Sequence, residues 1–574
     1  MQRRMRIGEG QTQTGVATAR AMGYGFDANG HPVSLVYPGG LTLTFTVDAL
    51  GQASAIASPG QTWASGIAHD PDGVITGFTY GNGIVHSLTR NARKLPLRSR
   101  DLDGATAVHD DSYTYDAVGN VTAIDDGVTG HRGDRTMTYD DLNRLTGATS
   151  PMFDTASYGY DVQDNLVRVT VTGGAARDRD YCYDAANRLT NIKTGGCAGT
   201  TVVGLGYDLQ GNLANRNGTL YGFDYGNRLR GVGTERYRYD AWGRRTQTAS
   251  AIDSDTIDSL YGQDGALYFQ VDERAGKVLW YVYLGGSLIA TRSESLGGGT
   301  AQIAWQHTDA LGSPVATTNS SKTVLQRSEY EPYGYLVNRP LEDGPGYTGH
   351  VTDAATGMIY MQQRYYDPVL GRFDSVDAIT AYDKGDMRFF VRYAYAFNNP
   401  YTFADLDGRQ SIQYGPKAIP LSPFSEKVLL ENMRRAGVSS MTVTSTYRAP
   451  ADQARVMYQN VEKYGVKSQM KLYGSAGQQV IQAYSEAQEQ GLGRTDTITK
   501  MTDVIVEQMK ENPDLYKHSQ DPAKINTADI SPSSVDGNRS SLISEFQSDS
   551  RISNVLTPPK DPAIHVEIPQ ERQN

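Results

Sequence analysis

A short unit recurs through the first half of this chain: aromatic-x-aromatic-Asp, two further residues, Gly or Asn, a basic or polar residue, then an aliphatic one. It reads Tyr113-Thr-Tyr-Asp-Ala-Val-Gly-Asn-Val121, Met137-Thr-Tyr-Asp-Asp-Leu-Asn-Arg-Leu145 and Tyr158-Gly-Tyr-Asp-Val-Gln-Asp-Asn-Leu166. It returns as Tyr181-Cys-Tyr-Asp184, Leu205-Gly-Tyr-Asp208, Tyr221-Gly-Phe-Asp224 and Tyr237-Arg-Tyr-Asp240, with earlier copies at Tyr24-Gly-Phe-Asp27 and Phe45-Thr-Val-Asp48. From Asp116 onward the aspartates are roughly 16 to 24 residues apart. A period that short holds one hairpin-sized module, which cannot bury a face by itself. Neighbouring modules must stack to make a core.

The unit is β in character. Aromatics at i and i+2 share one face of a strand. Asp followed by Gly or Asn is turn chemistry: the carboxylate caps the turn and the later residue tolerates positive φ. Composition agrees, with 61 Gly, and 37 Tyr against 13 Phe, among 574 residues. We read the tyrosines as a stacked ladder without chemistry of its own. The rival reading is carbohydrate binding.

Other classes are excluded. A net charge of −10 argues against a general nucleic-acid binder. No run of about 18 apolar residues spans a bilayer. The start, Met1-Gln-Arg-Arg-Met-Arg6, is basic but lacks an apolar stretch after it, so it is not a secretory signal. A chain made in the cytoplasm then needs a specialised secretion route. Cys182 and Cys197 cannot build a disulfide scaffold or a Cys-rich zinc site; we read them as free thiols, with one local bridge as the alternative.

These repeats are the signature of the YD-repeat, or Rhs, family. The resemblance implies that residues 1–299 form a β-sheet spiral, a shell of stacked hairpins that encloses a toxic cargo. Residues 300–409 resemble that family's repeat-associated core. The stretch contains Trp305-Gln-His-Thr-Asp-Ala-Leu-Gly312, Glu329-Tyr-Glu-Pro-Tyr-Gly-Tyr335, Gly357-Met-Ile-Tyr-Met-Gln-Gln-Arg-Tyr-Tyr-Asp-Pro368 and Ala404-Asp-Leu-Asp-Gly-Arg409. By that resemblance the core closes the shell and cuts the chain at an intramolecular aspartyl-protease-like site. Asp377 and Asp405 match the catalytic pair, Arg372 matches the basic residue ahead of it, and the cut falls near Arg409–Gln410. Two close carboxylates that share a proton can activate water. Leu406 and Ala378 each stand where the family has Pro. An interbacterial toxin of this kind is expected to have a cognate immunity protein and a partner in the secretion apparatus. At about 400 residues the shell is short for the family, and no separate delivery domain precedes it, so the chain reads as a truncated or orphan copy.

After Gly408 the repeats stop and residues 410–574 read as a separate α+β domain. Ser422–Gly437 has a capping Ser, Pro at the first helical position and a terminal Gly. Val438–Ser445 alternates like a strand, and helices fit Ala451–Tyr464, Ser475–Gln490 and Thr495–Lys510. Charge is balanced, with 18 Lys and Arg against 19 Asp and Glu. A nuclease usually carries a basic stripe, so nucleic acid is not favoured. Only two of the nine histidines lie here, His518 and His565. A catalytic zinc takes three N or O ligands, an open position for water and a carboxylate base. His518, Asp529 and His565 can supply the ligands and Glu567 the base.

The run Val443-Thr-Ser-Thr-Tyr-Arg448 resembles D-alanyl-D-alanine carboxypeptidases and related zinc peptidases, in which a His…Asp pair and a late strand His follow in that order. The resemblance implies a substrate- or transition-state-binding role for Arg448, with Gln453 as a polar neighbour. The His518–Asp529 spacing is looser than in those enzymes, which leaves Asp521 as a rival ligand. Their base usually precedes the last His, which leaves Asp561 as a rival to Glu567. Glu567 as ligand with His565 as base also stays open. The combined reading is a self-cleaving toxin whose zinc-dependent effector cuts peptidoglycan stem peptides in a target periplasm. The alternatives are a nuclease or nucleotide-modifying toxin of the target cytoplasm, and a non-enzymatic shell fragment with a binding tail.

Overall fold

The structure is a computed structural model with two compact units: Met1–Thr380 with Arg388–Gln410, and Ser411–Asn574 with Ala381–Met387. It describes residues 8–13, 20–377, 391–405, 412–414 and 421–570. Within those ranges residues 30, 71–72, 131, 263, 423–424, 426–427, 430–431, 434–435, 437, 439–440, 448, 513–514, 517, 519–523, 536–538, 550 and 559–562 are not described.

The first unit is mainly β. Its large sheet has 30 strands, from Gly8–Gln13 to Val324–Arg327. Pairing is antiparallel between sequence neighbours throughout, as in strands Arg135–Tyr139, Leu145–Ser150 and Asp154–Tyr160. The sheet therefore continues well past residue 299.

Each repeat makes one five-residue turn. In the copy at Asp161, Oδ1 accepts the backbone N–H groups of Gln163 at 2.8 Å and Asn165 at 2.9 Å. The residue three places after the Asp has positive φ in every copy from Asp116 to Asp240: Gly119, Asn143, Asp164, Asn187, Gly211, Asn227 and Gly243. Gly and Asn are the residues that enter that region most readily, which is why the unit favours them. The same backbone turn closes at Asp70, Asn91, Gly262, Asp309 and Asn319, where the aromatic signature is eroded and the sequence reading found no copy.

The pairing register shifts at the second aromatic of each repeat, between Thr114 and Tyr115, Thr138 and Tyr139, Gly159 and Tyr160, and Cys182 and Tyr183. A β-bulge repeated at each of these hairpins bends the strand and raises its twist, so the sheet curls instead of lying flat. The curl brings early strands against late ones. Tyr37 Oη donates to the carbonyl of Tyr281 at 2.8 Å, Trp280 Nε1 to that of Pro38 at 3.0 Å, and Tyr80 Oη to that of Gln306 at 3.1 Å. Along this seam Asp101 is hydrogen-bonded by His86 and His307.

The second aromatic also explains the excess of Tyr over Phe. Tyr139 Oη donates to the carbonyl of Val121, Tyr160 to Leu145, Tyr183 to Leu166 and Tyr207 to Leu189, at 2.7 to 2.9 Å. Each acceptor is the aliphatic residue that closes the preceding turn. Phenylalanine could fill the space but could not make the link.

Residues 344–373 form a small five-stranded sheet: Gly344–Pro345, Val351–Thr352, Ile359–Met361, Arg364–Asp367 and Arg372–Phe373. Its side chains share a core with the repeats: Tyr366 and Phe373 with Tyr158 and Leu189, and Tyr360 and Tyr365 with Tyr237 and Tyr261. Arg245 of the large sheet is 2% exposed. It pairs with Asp353 at 2.6 Å and lies over the Tyr237, Tyr360 and Tyr365 rings. Cys182 and Cys197 form a disulfide, which decides for the local bridge over free thiols.

The second unit has a five-stranded sheet in the order Ile412–Tyr414, Met441–Ser445, Ile525–Ile530, Ile564–Pro569, Asn554–Leu556. Only the first pair is parallel. Val443, Ala528, Ile530, Ile564 and Val566 bury the sheet against Leu542 and Phe546 of helix Arg539–Ser548 and against Val428, Leu429 and Met433. Helices Pro450–Tyr464, Val466–Leu472, Ser475–Glu489 and Arg494–Glu511 have a core of their own. Three of these match the expected helices within one or two residues. The short fourth, and helix Arg539–Ser548, carry no strong apolar periodicity and were not foreseen.

Two substitutions test this packing. Asp353→Ala leaves Arg245 as an uncompensated buried cation and should lower the stability of the first unit by about 3–5 kcal/mol, read from the shift in chemical-denaturation midpoint. Tyr139→Phe removes one inter-repeat hydrogen bond while keeping the ring, and should cost only about 1 kcal/mol in the same assay.

Candidate metal centre and paired aspartates

In the second unit, antiparallel register builds a cluster of ionisable side chains. Asp529 lies opposite His565 and Thr527 opposite Glu567, while Asn554 lies opposite Glu567 on its other side. Alternation places these side chains on one face of the sheet. His518 arrives from the segment between helix Arg494–Glu511 and strand Ile525–Ile530.

Asp529 joins the two histidines. His565 Nδ1 is 2.7 Å from its Oδ1 and His518 Nε2 is 3.1 Å from its Oδ2. The imidazole rings stand edge to face at 5.1 Å. One ligand atom from each of His518, Asp529 and His565 falls within 4.8 Å of the others. His565 is buried, whereas His518 and Asp529 keep 12% and 14% of their side chains exposed, so the cluster is reached from their side. Burial alone would raise the Asp529 pKa. Hydrogen bonds and charge from the two imidazoles outweigh it and hold the carboxyl well below the usual range.

The backbone carbonyl of Thr446 lies 2.7 Å from His518 Nδ1. A carbonyl only accepts, so Nδ1 carries the proton and Nε2 turns to Asp529. Two lone pairs then face each other unless a proton or a cation lies between them. Two imidazole nitrogens and one carboxylate, converging with one side open, are a donor set that suits zinc.

Glu567 is buried, and its Oε1 accepts from Asn554 Nδ2 at 2.9 Å and faces His565 Nε2 at 3.4 Å. It therefore sits on the edge of the imidazole turned away from Asp529. The expected role of Glu567 as the proton-accepting base does not fit this placement, because a base must reach the open side of the cluster. Gln453 lies half-buried on helix Pro450–Tyr464. Arg448, Asp521 and Asp561 lie outside the described residues.

The first unit brings Asp377 and Asp405 together. An Oδ2 of each lies 2.9 Å from the same nitrogen, Arg364 Nη2, so the two oxygens are within about 6 Å of one another. All three side chains are buried, and the guanidinium lies 3.6 Å from the centre of the Phe373 ring. His350 Nε2 is 2.8 Å from the backbone carbonyl of Asp405. Arg372, matched by resemblance to the basic residue ahead of Asp377, donates to Tyr183 Oη at 2.8 Å and lies over the Tyr183 and Tyr393 rings. The arginine that holds the carboxylates is Arg364, eight residues earlier. Leu406, Ala378 and the Arg409–Gln410 bond lie outside the described residues.

Sequence reasoning missed Arg364, His350 and Asn554. Arg364 lies in the same motif-rich run as Arg372, and nothing in its spacing ranks one above the other.

Among curated proteins the chain is 28% identical over 290 residues to a tRNA3(Ser)-specific nuclease, WapA, of Bacillus spizizenii, covering 47% of this chain and 12% of that protein. It is 28% identical over 276 residues to double-stranded DNA deaminase toxin A of Burkholderia cenocepacia (47% and 17%) and 26% identical over 401 residues to the probable deoxyribonuclease RhsB of Dickeya dadantii (65% and 25%). The chain thus spans a quarter or less of these relatives' lengths. Among solved structures, the Photorhabdus luminescens Tc holotoxin pore matches with a TM-score of 0.58 at 19% identity, over 71% of this chain and 22% of that one, a likeness of fold. The family model described as the Teneurin YD-shell matches residues 100–406. With more than half of its length inside that model, and with the bulged hairpin array to account for it, the chain belongs to the Teneurin YD-shell family.

Proposed function

We propose that this chain is a shell-bearing toxin of interbacterial competition whose second unit is a zinc-dependent peptidase, freed by self-cleavage at the Asp377–Asp405 site. The observation that carries the peptidase reading is the convergence of His518, Asp529 and His565 within 4.8 Å. Bound zinc would polarise a scissile carbonyl and lower the pKa of its water. His518, Asp529 and His565 would hold it. Arg448, two residues after Thr446, binds the substrate carboxylate or developing oxyanion in this reading, a task suited to a planar fork of donors. Asp561, the rival base, would accept that water's proton in place of Glu567. The substrate class is the peptidoglycan stem peptide, met in the periplasm of a target cell. A cognate immunity protein would protect the producer, and a secretion-apparatus component would export the chain.

Self-cleavage rests on the Asp377–Arg364–Asp405 arrangement. The arginine holds both carboxylates at one point; with one of the pair protonated and the other ionised, the ionised member can deprotonate water while the protonated one passes its proton to the leaving amine. A second reading, favoured by the names of the relatives, is a toxin acting on nucleic acid or nucleotides in the target cytoplasm.

The purified chain should contain about one zinc and shorten muropeptides, and Asp529→Ala should lose both the metal and the hydrolysis. Metal-free wild-type protein that leaves muropeptides intact would sink the peptidase reading. Toxicity only from the periplasm supports it, while killing from the cytoplasm supports the nucleic-acid reading. His518→Ala with undiminished toxicity would favour the nucleic-acid reading or a non-enzymatic binding tail.

Wild-type chain should resolve into two bands on a denaturing gel, whereas Asp377→Asn and Asp405→Asn should each run as one 62.6 kDa band. An uncut wild-type chain would remove self-cleavage.

A further inference from the structure

Building on the zinc reading above, we infer that Glu567 and Asn554 are positioning residues: they hold His565 in the one tautomer that can bind metal together with His518 and Asp529. Glu567 shares a strand face with His565, two residues on, and is 3% exposed. A carboxylate that deep needs donors. One is Asn554 Nδ2 at 2.9 Å, supplied by the residue opposite it on the edge strand. A second is His565 Nε2, at 3.4 Å.

The imidazole of His565 thus has a carboxylate at each nitrogen, Asp529 at Nδ1 and Glu567 at Nε2. With a cation at the cluster, Nδ1 must offer a lone pair and the ring keeps its proton on Nε2. Glu567 is where that proton points. A charged acceptor there fixes the tautomer and orientation and raises the basicity of the nitrogen that binds metal.

His518 is turned the other way by a different device. Its Nδ1 is held by the Thr446 carbonyl and its Nε2 faces the cluster. The two histidines converge because their outer partners differ. Asn554 acts through Glu567: its amide holds the carboxylate in line with the ring.

The test compares zinc affinity of the full chain, by competition with a chromogenic chelator and zinc ion alone, in wild type, Glu567→Ala, Glu567→Gln and Asn554→Ala. Glu567→Ala should weaken zinc about 10–100-fold, and Glu567→Gln, which keeps an acceptor oxygen, should recover part of that loss. Asn554→Ala should weaken zinc to a lesser extent, and it carries the test if Glu567→Ala fails to fold. In zinc-loaded chain labelled with 15N-histidine, the His565 Nε2–H signal should be protected from solvent exchange in wild type and lost in Glu567→Ala.

Equal zinc affinity in wild type and all three variants, with hydrolysis lost only in the Glu567 variants, would overturn the inference and restore Glu567 as the base. A wild-type chain that takes up no zinc removes both this inference and the peptidase reading. Tight zinc binding by wild type and variants alike removes this inference alone.

Discussion

The first unit depends on what the second aromatic of each repeat does. At that residue the strand register slips by a bulge, and from it the phenol reaches back to the carbonyl that closes the preceding turn. The bulge supplies curvature and the hydroxyl supplies the tie between neighbours. Together they let a string of hairpins, none stable alone, become one curled sheet whose early strands meet its late ones. Burial pushes these phenols up, Tyr139 and Tyr207 among them, so they remain neutral donors under ordinary conditions.

The curled sheet has an interior that must be filled, and residues 344–373 help to fill it. Their tyrosines pack on repeat tyrosines, and Arg245 ties the two together through Asp353. The same packing makes it possible to bury Arg364 with Asp377 and Asp405. A cation with two carboxylates in an apolar interior is costly unless geometry and partners are good. Here the arginine lies on Phe373, and His350 holds the Asp405 backbone.

Both sites follow one logic: each functional side chain is aimed by a partner that does no chemistry itself. Arg364 gathers two aspartates from segments 28 residues apart, and Thr446 and Glu567 turn two histidines in opposite senses. The candidate residue types were readable, because Asp pairs and His–Asp–His sets have recognisable chemistry. Their positioning partners were not, since a backbone carbonyl has no sequence signature and Arg364 and Arg372 look alike in a motif. Asn554 becomes visible only when its strand is paired with that of Glu567.

The sequence by itself determined the hairpin unit and its turn chemistry. Asp capping, positive φ at the turn and alternating apolar or aromatic residues are local properties repeated from Asp116 to Asp240, and the helices at 450–464, 475–489 and 494–511 were legible by periodicity for the same reason. Family resemblance had matched Asp377 with Asp405, and residue types had grouped His518 with Asp529 and His565; the structure brings each set together. Only the tertiary structure decided that Arg364 and not Arg372 joins the aspartates, that Cys182 and Cys197 are bridged, and that Glu567 lies behind His565. Each of these depends on which side of a ring, strand or guanidinium faces a distant segment. That is set by register and packing across many residues, and no local pattern encodes it.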